Sequence, residues 1–164
     1  MVETVKMDQV KSRYDDFLES RKTIVISSQD SDGHPFISYA PFMKHEGKLY
    51  IYISAIAEHY DFIEQNETIQ IMMLADEANT KNLFARERLY LRCQAKNIGN
   101  DNLEPIFAKM EAIHGTSLIR LLRTIDMSIF ELTPQTGRYV IGFGQAFTVD
   151  FASGELEHIV VNKK

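Results

Sequence analysis

Cysteine is almost missing from this chain: Cys93 is the single one among 164 residues. That scarcity excludes an intrachain disulfide, a thiolate zinc site and a cysteine-held iron–sulfur cluster together. A reducing, cytoplasmic compartment fits. Positive charge is also short, since 18 Lys and Arg against 23 Asp and Glu leave a formal net charge of -5. General nucleic-acid binding is therefore not expected, and an anionic ligand must be met by a local cluster of cations. No apolar run approaches a membrane span, and the charged opening segment MVETVKMDQVKSRYDDF has no signal-peptide core. Neither membrane nor nucleic acid is expected as a partner. No glycine-rich loop has Rossmann or P-loop spacing, and no serine lies in a GxSxG context, so those nucleotide-binding devices and a hydrolytic elbow are excluded. Repeats, linkers and low-complexity tracts are absent too. A hydrophobic content of 45% then supports one core, and a single domain over residues 1–164 is expected.

What is present reads as strands joined by short turns. Val2, Val5, Met7, Val10, Tyr14, Phe17 and Leu18 recur at helical spacing, which predicts an amphipathic N-terminal helix from Val2 to Glu19. TIVISSQDSDGHPFISYAPFM is a hairpin around Asp32-Gly33. LYIYIS follows as a third alternating strand, and a short helix between Ala55 and Asn66 bridges to the strand TIQIMMLAD. LFARERLYLRCQAKNI reads as a strand placing Arg86, Arg88, Tyr90 and Arg92 on one face and Leu89, Leu91 and Cys93 on the other. Residues Asn100 to Arg123 are helical, with Asp101 a candidate N-cap, Pro105 in the first turn and Gly115 a break. MSIFELTP, GRYVIGFGQAFTVDF and LEHIVVN close the chain as three strands separated at Pro134 and at Ser153-Gly154. This order predicts a mainly β protein with flanking helices, built as an antiparallel, closed or partly closed barrel.

Four segments carry a family resemblance in this order: Ser38-Tyr39-Ala40-Pro41-Phe42, Ile71-Met72-Met73, Leu83-Phe84-Ala85-Arg86 and Gly142-Phe143-Gly144-Gln145-Ala146. From Arg21 to Phe147 the chain resembles the split-barrel haem-utilisation proteins of the HugZ and HutZ type, within the pyridoxamine 5'-phosphate oxidase-like superfamily. The resemblance implies an antiparallel split β-barrel, a homodimer, and ligand sites at the subunit interface. It leaves the ligand open among haem, FMN and a cofactor held without turnover.

For haem, an axial histidine and cations for the propionates are required. The resemblance places an acidic partner at Asp126, where a carboxylate would fix the imidazole tautomer and raise its donor strength. It implies an axial histidine near the C-terminus, and His158 is the histidine available, with a partly exposed strand position as its plain structural alternative. Arg86 and Arg88 are candidate propionate contacts, or else cations of a solvated face paired with Glu87 and Glu131. His59, on the short helix, is a candidate propionate, phosphate or distal contact, or a helix-surface residue. For FMN, Ser38, Tyr52 and Ser54 offer hydroxyls and Arg86 or Arg88 a phosphate contact, while Glu58 opposes a phosphate dianion. Tyr39 is a candidate cofactor contact that equally suits barrel packing. His34 and His45 read as loop residues and His114 as a helix end. The expected activity is oxidative haem degradation with an external electron donor, and an FMN-dependent oxidoreductase is the alternative.

Overall fold

The computed structural model describes residues 5–160. Val2 and the residues following Val160, on which parts of two expected elements rest, lie outside the described residues. Helix α1 (Met7–Ser20) buries Val10, Tyr14, Phe17 and Leu18, the i, i+4, i+7, i+8 stripe of an amphipathic helix. Strands β1 (Thr23–Gln29) and β2 (Pro35–His45) form the expected hairpin. Its turn is closed by Asp30, whose carboxylate accepts from the N–H groups of Asp32 and His34 at 3.0 and 2.9 Å. Strand β3 (Lys48–Ser54), helix α2 (Glu58–Gln65) and strands β4 (Thr68–Leu74) and β5 (Arg88–Gly99) follow. Helices α3 (Glu104–His114) and α4 (Thr116–Leu122) are separated by Gly115 at φ 104°, a conformation that L side chains rarely adopt. Strands β6 (Met127–Gly142), β7 (Gln145–Asp150) and β8 (Glu155–His158) complete the chain.

Six antiparallel strands run in the order β3-β2-β1-β4-β5-β6, and β3 pairs back onto β6 to close a barrel; β7 and β8 continue the sheet beyond β6. The expected mainly β, split-barrel fold class is therefore observed. Inward residues such as Ile24, Ile26, Ile71, Leu89, Leu91 and Phe130 make the core, and α1 adds Tyr14 and Phe17 against Tyr139. Outside the barrel wall, α3 and α4 build a second cluster from Ile106, Phe107, Met110 and Ile119 on Met43 and Ile129. Cys93 is fully buried, and burial pushes its thiol up to about 12.

Three local expectations are corrected. Pro134 does not end a strand: β6 runs through it, because it lies opposite Cys93 beside a register irregularity between Leu91 and Cys93, where a residue without an N–H is tolerated. Arg86 is not on a strand. Leu83–Ala85 form a short 3₁₀ turn capped by Asn82, and β5 begins only at Arg88. Asp101 is not the cap of α3, whose N-cap is Leu103, although Pro105 does sit in the first turn. The Gly142-Phe143-Gly144 segment combines a bulge, between Val140 and Gly142, with a hairpin turn at Gly144 of φ 65°.

Gly137 marks a close approach of the β5 and β6 backbones. A Cβ there would lie 1.9 Å from the carbonyl oxygen of Tyr90 and 2.9 Å from the Cα of Leu91, both backbone atoms that cannot step aside. Gly137→Ala should cost about 3 kcal/mol or more, read as a lower urea midpoint. Gly142→Ala, whose nearest contact is a side-chain atom at 3.7 Å, serves as the near-neutral control.

Candidate functional site

The candidate residues fall into two groups. The first surrounds the end of β3 and the start of α2. Ser54 is paired with Met127 in the β3–β6 ladder, and the Ala55 N–H donates to the carbonyl of Asp126 at 3.0 Å. This brings Ser54 and the exposed Asp126 together. His59 lies in the first turn of α2 and is 8% exposed. Its Nδ1 shares a 2.7 Å hydrogen bond with Ser38 Oγ, and burial lowers its pKa, so the ring is neutral near pH 7. His59 is thus not the exposed helix histidine of the plain reading. Helix α2 is held in place by Tyr60, whose hydroxyl bonds Ser128 Oγ at 2.8 Å and accepts from the Asn97 amide at 2.9 Å. Tyr52 is engaged elsewhere: its hydroxyl donates to the Leu122 carbonyl at 3.4 Å, and its ring packs edge-on against Phe107. Tyr39 stands on the outer face of β2, 58% exposed.

The second group lies around the start of β5 and the β6–β7 hairpin. Arg88 donates from Nη1 to the Arg86 carbonyl at 2.9 Å and has no carboxylate within ion-pair distance among the described residues. Arg86 is partly spent on structure, since its Nε donates to the Ala75 carbonyl at 2.8 Å and its guanidinium lies 3.7 Å from Glu77. The acids expected to neutralise this row do not. Glu87 takes a bidentate contact from Arg13 of α1, at 3.1 and 2.9 Å, together with the buried hydroxyl of Tyr139, and Glu131 is held by Lys48 and Tyr50. His158 ends β8, tilted over Phe147 with ring centroids 5.1 Å apart. Its Nε2–H donates to the Gly144 carbonyl at 2.9 Å, which leaves the Nδ1 lone pair as the donor available to a ligand.

Asp126 immediately precedes β6, whereas Arg88 pairs with Val140 near the end of the same strand and His158 pairs with Phe147 on β7. A 16-residue strand spans roughly 50 Å of path. Within one copy, Asp126 with Ser54 thus belongs to the start of the β6 ladder, and Arg88 with His158 to its far end. Sequence reasoning also missed the Arg13–Glu87–Tyr139 contact, because residues so distant in sequence carry no local signal, and it placed His45 in a loop although that residue ends β2 with its side chain 17% exposed. His114 does serve the end of α3, with Nε2–H donating to the Phe42 carbonyl at 3.0 Å.

The family described as pyridoxamine 5'-phosphate oxidase matches residues 10–141. The chain belongs to that family. Within it, the chain is 34% identical over 155 residues to the haem oxygenase HutZ of Vibrio cholerae, covering 91% of this chain and 88% of HutZ. The crystal structure of HutZ, there described as a haem storage protein, superposes with a TM-score of 0.74 at 33% identity, over 80% of this chain and 96% of that one. Campylobacter jejuni ChuZ gives a TM-score of 0.85 at 28% identity over 94% of this chain. The chain spans 64% of the length of ChuZ. The HutZ-type resemblance carried by the SYAPF and GFGQA segments is thereby borne out within the pyridoxamine 5'-phosphate oxidase family.

His59 has a measurable consequence. Burial holds its folded-state pKa below the ordinary 6.5, so as pH falls the unfolded chain takes the proton first. Its contribution is complete above that value and is lost below it. The urea midpoint of the wild type should fall between pH 7.5 and pH 5.5 by more than that of His59→Gln; parallel curves would contradict a buried neutral ring.

Proposed function

We propose that two copies of this chain bind haem between them, in the cytoplasm, and degrade it oxidatively with electrons from an external reductant. The observation that carries this reading is the separation of the two candidate groups. A carboxylate, hydroxyls and an imidazole lie at one flank of the barrel, and an imidazole with cations lies at the other. A two-fold dimer supplies each ligand with one group from either copy. Further support comes from the relatives, named as a haem oxygenase and a haem storage protein.

The donor set suits haem. His158 offers an Nδ1 lone pair on a ring steadied by Gly144 and Phe147. Asp126 offers an exposed carboxylate to orient that imidazole from the other copy. Arg88 offers for a propionate a guanidinium with no carboxylate within ion-pair distance among the described residues, and Arg86 a more constrained second one. Neutral His59, steadied by Ser38, and the Ser54 hydroxyl remain to bind or orient a polar group at the first flank. Bound haem supplies iron-centred oxygen activation; the protein binds, orients and restricts water. FMN is the second reading, favoured by the family match and by Ser38 and Ser54, and opposed by the exposed Glu58 in the first turn of α2.

Titration of the purified protein with haemin should give a saturable Soret band. His158→Ala should abolish its ordered position, and Asp126→Asn should retain binding but shift the band and slow reductant-dependent loss of haem by tenfold or more, on the order expected for groups that orient a metal ligand. Saturable flavin binding without a haem response would transfer the assignment to FMN, and an unchanged spectrum in His158→Ala would remove that residue as ligand.

A further inference from the structure

Arg86, Glu87 and Arg88 are consecutive, so the two candidate anion contacts have a carboxylate between them. An acid placed there lies within reach of two long, flexible guanidinium side chains and would cancel the charge of whichever it met. Neither arginine takes it. The Glu87 carboxylate is turned to helix α1, where its two oxygens accept from Nε and Nη2 of Arg13 at 3.1 and 2.9 Å. Oε1 also accepts from the hydroxyl of Tyr139 on β6. The backbone of the same residue is fixed as well, since its carbonyl accepts from the Ala75 N–H at 2.9 Å.

Packing brings Arg13 to this acid. Its neighbours on α1, Tyr14 and Phe17, lie on the Tyr139 ring with centroids 5.3 and 5.8 Å away. The helix that covers the ring of Tyr139 therefore also delivers a guanidinium to the carboxylate that the Tyr139 hydroxyl holds. A bidentate guanidinium–carboxylate contact is stronger and more directional than a single-point one. Glu87 depends on it, because its side chain is only 17% exposed and little water can replace a lost partner. Without Arg13 the carboxylate would retain one of its three side-chain hydrogen bonds, and a half-buried charge left in that state turns to another cation. The nearest along the chain are Arg86 and Arg88. Arg86 already lies 3.7 Å from Glu77, whereas Arg88 has no carboxylate within ion-pair distance among the described residues.

We infer that Arg13 is a positioning residue for the anion contacts of the second group: by holding Glu87 it keeps that carboxylate off Arg88, so that Arg88, with Arg86 beside it, meets the carboxylate of a bound ligand instead. The inference rests on the haem reading for the identity of that ligand, though not for the hold itself. Helix α1, which carries none of the candidate site residues, thereby becomes part of the electrostatics of the site. Glu87 is the competitor in this arrangement, so neutralising it removes the need for Arg13.

The hold and the ligand are tested separately. In ligand-free protein, heteronuclear NMR of the arginine Nε–H groups reads the surroundings of Arg88, whose signal is identified by its loss in Arg88→Lys. Arg13→Ala should displace that signal, and the double variant Arg13→Ala/Glu87→Gln should return it towards its wild-type position. Haemin titration of the same samples should show a dissociation constant raised about fivefold or more in Arg13→Ala, held within about threefold in the charge-conserving Arg13→Lys, and brought back to within about twofold of the wild type in the double variant. A purely structural role for Arg13 in docking α1 would not be rescued in this way, because the double variant still lacks the contact. Thermal melting followed by circular dichroism checks that each variant is folded at the assay temperature, and Arg13→Gln replaces Arg13→Ala if the latter is not. An Arg88 signal that stays in place when Arg13 is neutralised, or a loss of haemin affinity that Glu87→Gln does not rescue, overturns the inference. A displaced and rescued Arg88 signal with no saturable Soret band in the wild type would retain the hold and remove the haem reading.

Discussion

Strand β6 must satisfy neighbours on both edges along its length, and the rest of the architecture follows from that demand. Its first half pairs with β3 and closes the barrel, its second half pairs with β7, and β5 lies along both. Where β6 is flanked by β5 and β7, the backbones of β5 and β6 come very close at Gly137, and the Tyr90 carbonyl occupies the space a side chain would need. A register irregularity between Leu91 and Cys93, the latter opposite Pro134, accompanies this close approach. Because β6 is this long, its two ends carry different candidate groups.

Electrostatics within one copy is arranged for structure first. Glu87 and Glu131 are committed to Arg13, Tyr139, Lys48 and Tyr50, and Arg86 is tied to a carbonyl. Among the described residues, Arg88, Arg92 and Arg138 near the second group and Glu58, Asp61 and Asp126 near the first remain without an ion-pair partner. Such partial pairing on a surface contributes little to folding but much to which partner surfaces are compatible. His59 adds a neutral, hydrogen-bonded imidazole near the acidic flank.

The succession of elements along the chain, the amphipathic α1, the break at Gly115 and the two-faced β5 were legible in the sequence because each depends on a local period or a single residue's backbone preference. Four short segments also sufficed to indicate the family. The continuity of β6 through Pro134 was not legible, since it depends on the neighbouring strand being irregular there. Nor was the 3₁₀ turn at Leu83–Ala85, where an apparent alternation hid an Asn82 cap. The candidate site residues were recognisable as chemical types, but their division between two flanks is a property of strand pairing. His59 illustrates the same limit: its helix was expected, yet its burial comes from Ser38 on a different strand.

Sulfur in this molecule is largely sequestered. Cys93, Met43 and Met73 are at most 1% exposed, and Met110 is 3% exposed; the Cys93 thiol also resists ionisation. A fold that encloses its oxidisable atoms in this way separates them from any reactive oxygen released at its surface. For a protein proposed to work beside activated oxygen, the tight barrel acts as a built-in shield, and the lifetime of the catalyst under its own chemistry becomes a property of packing.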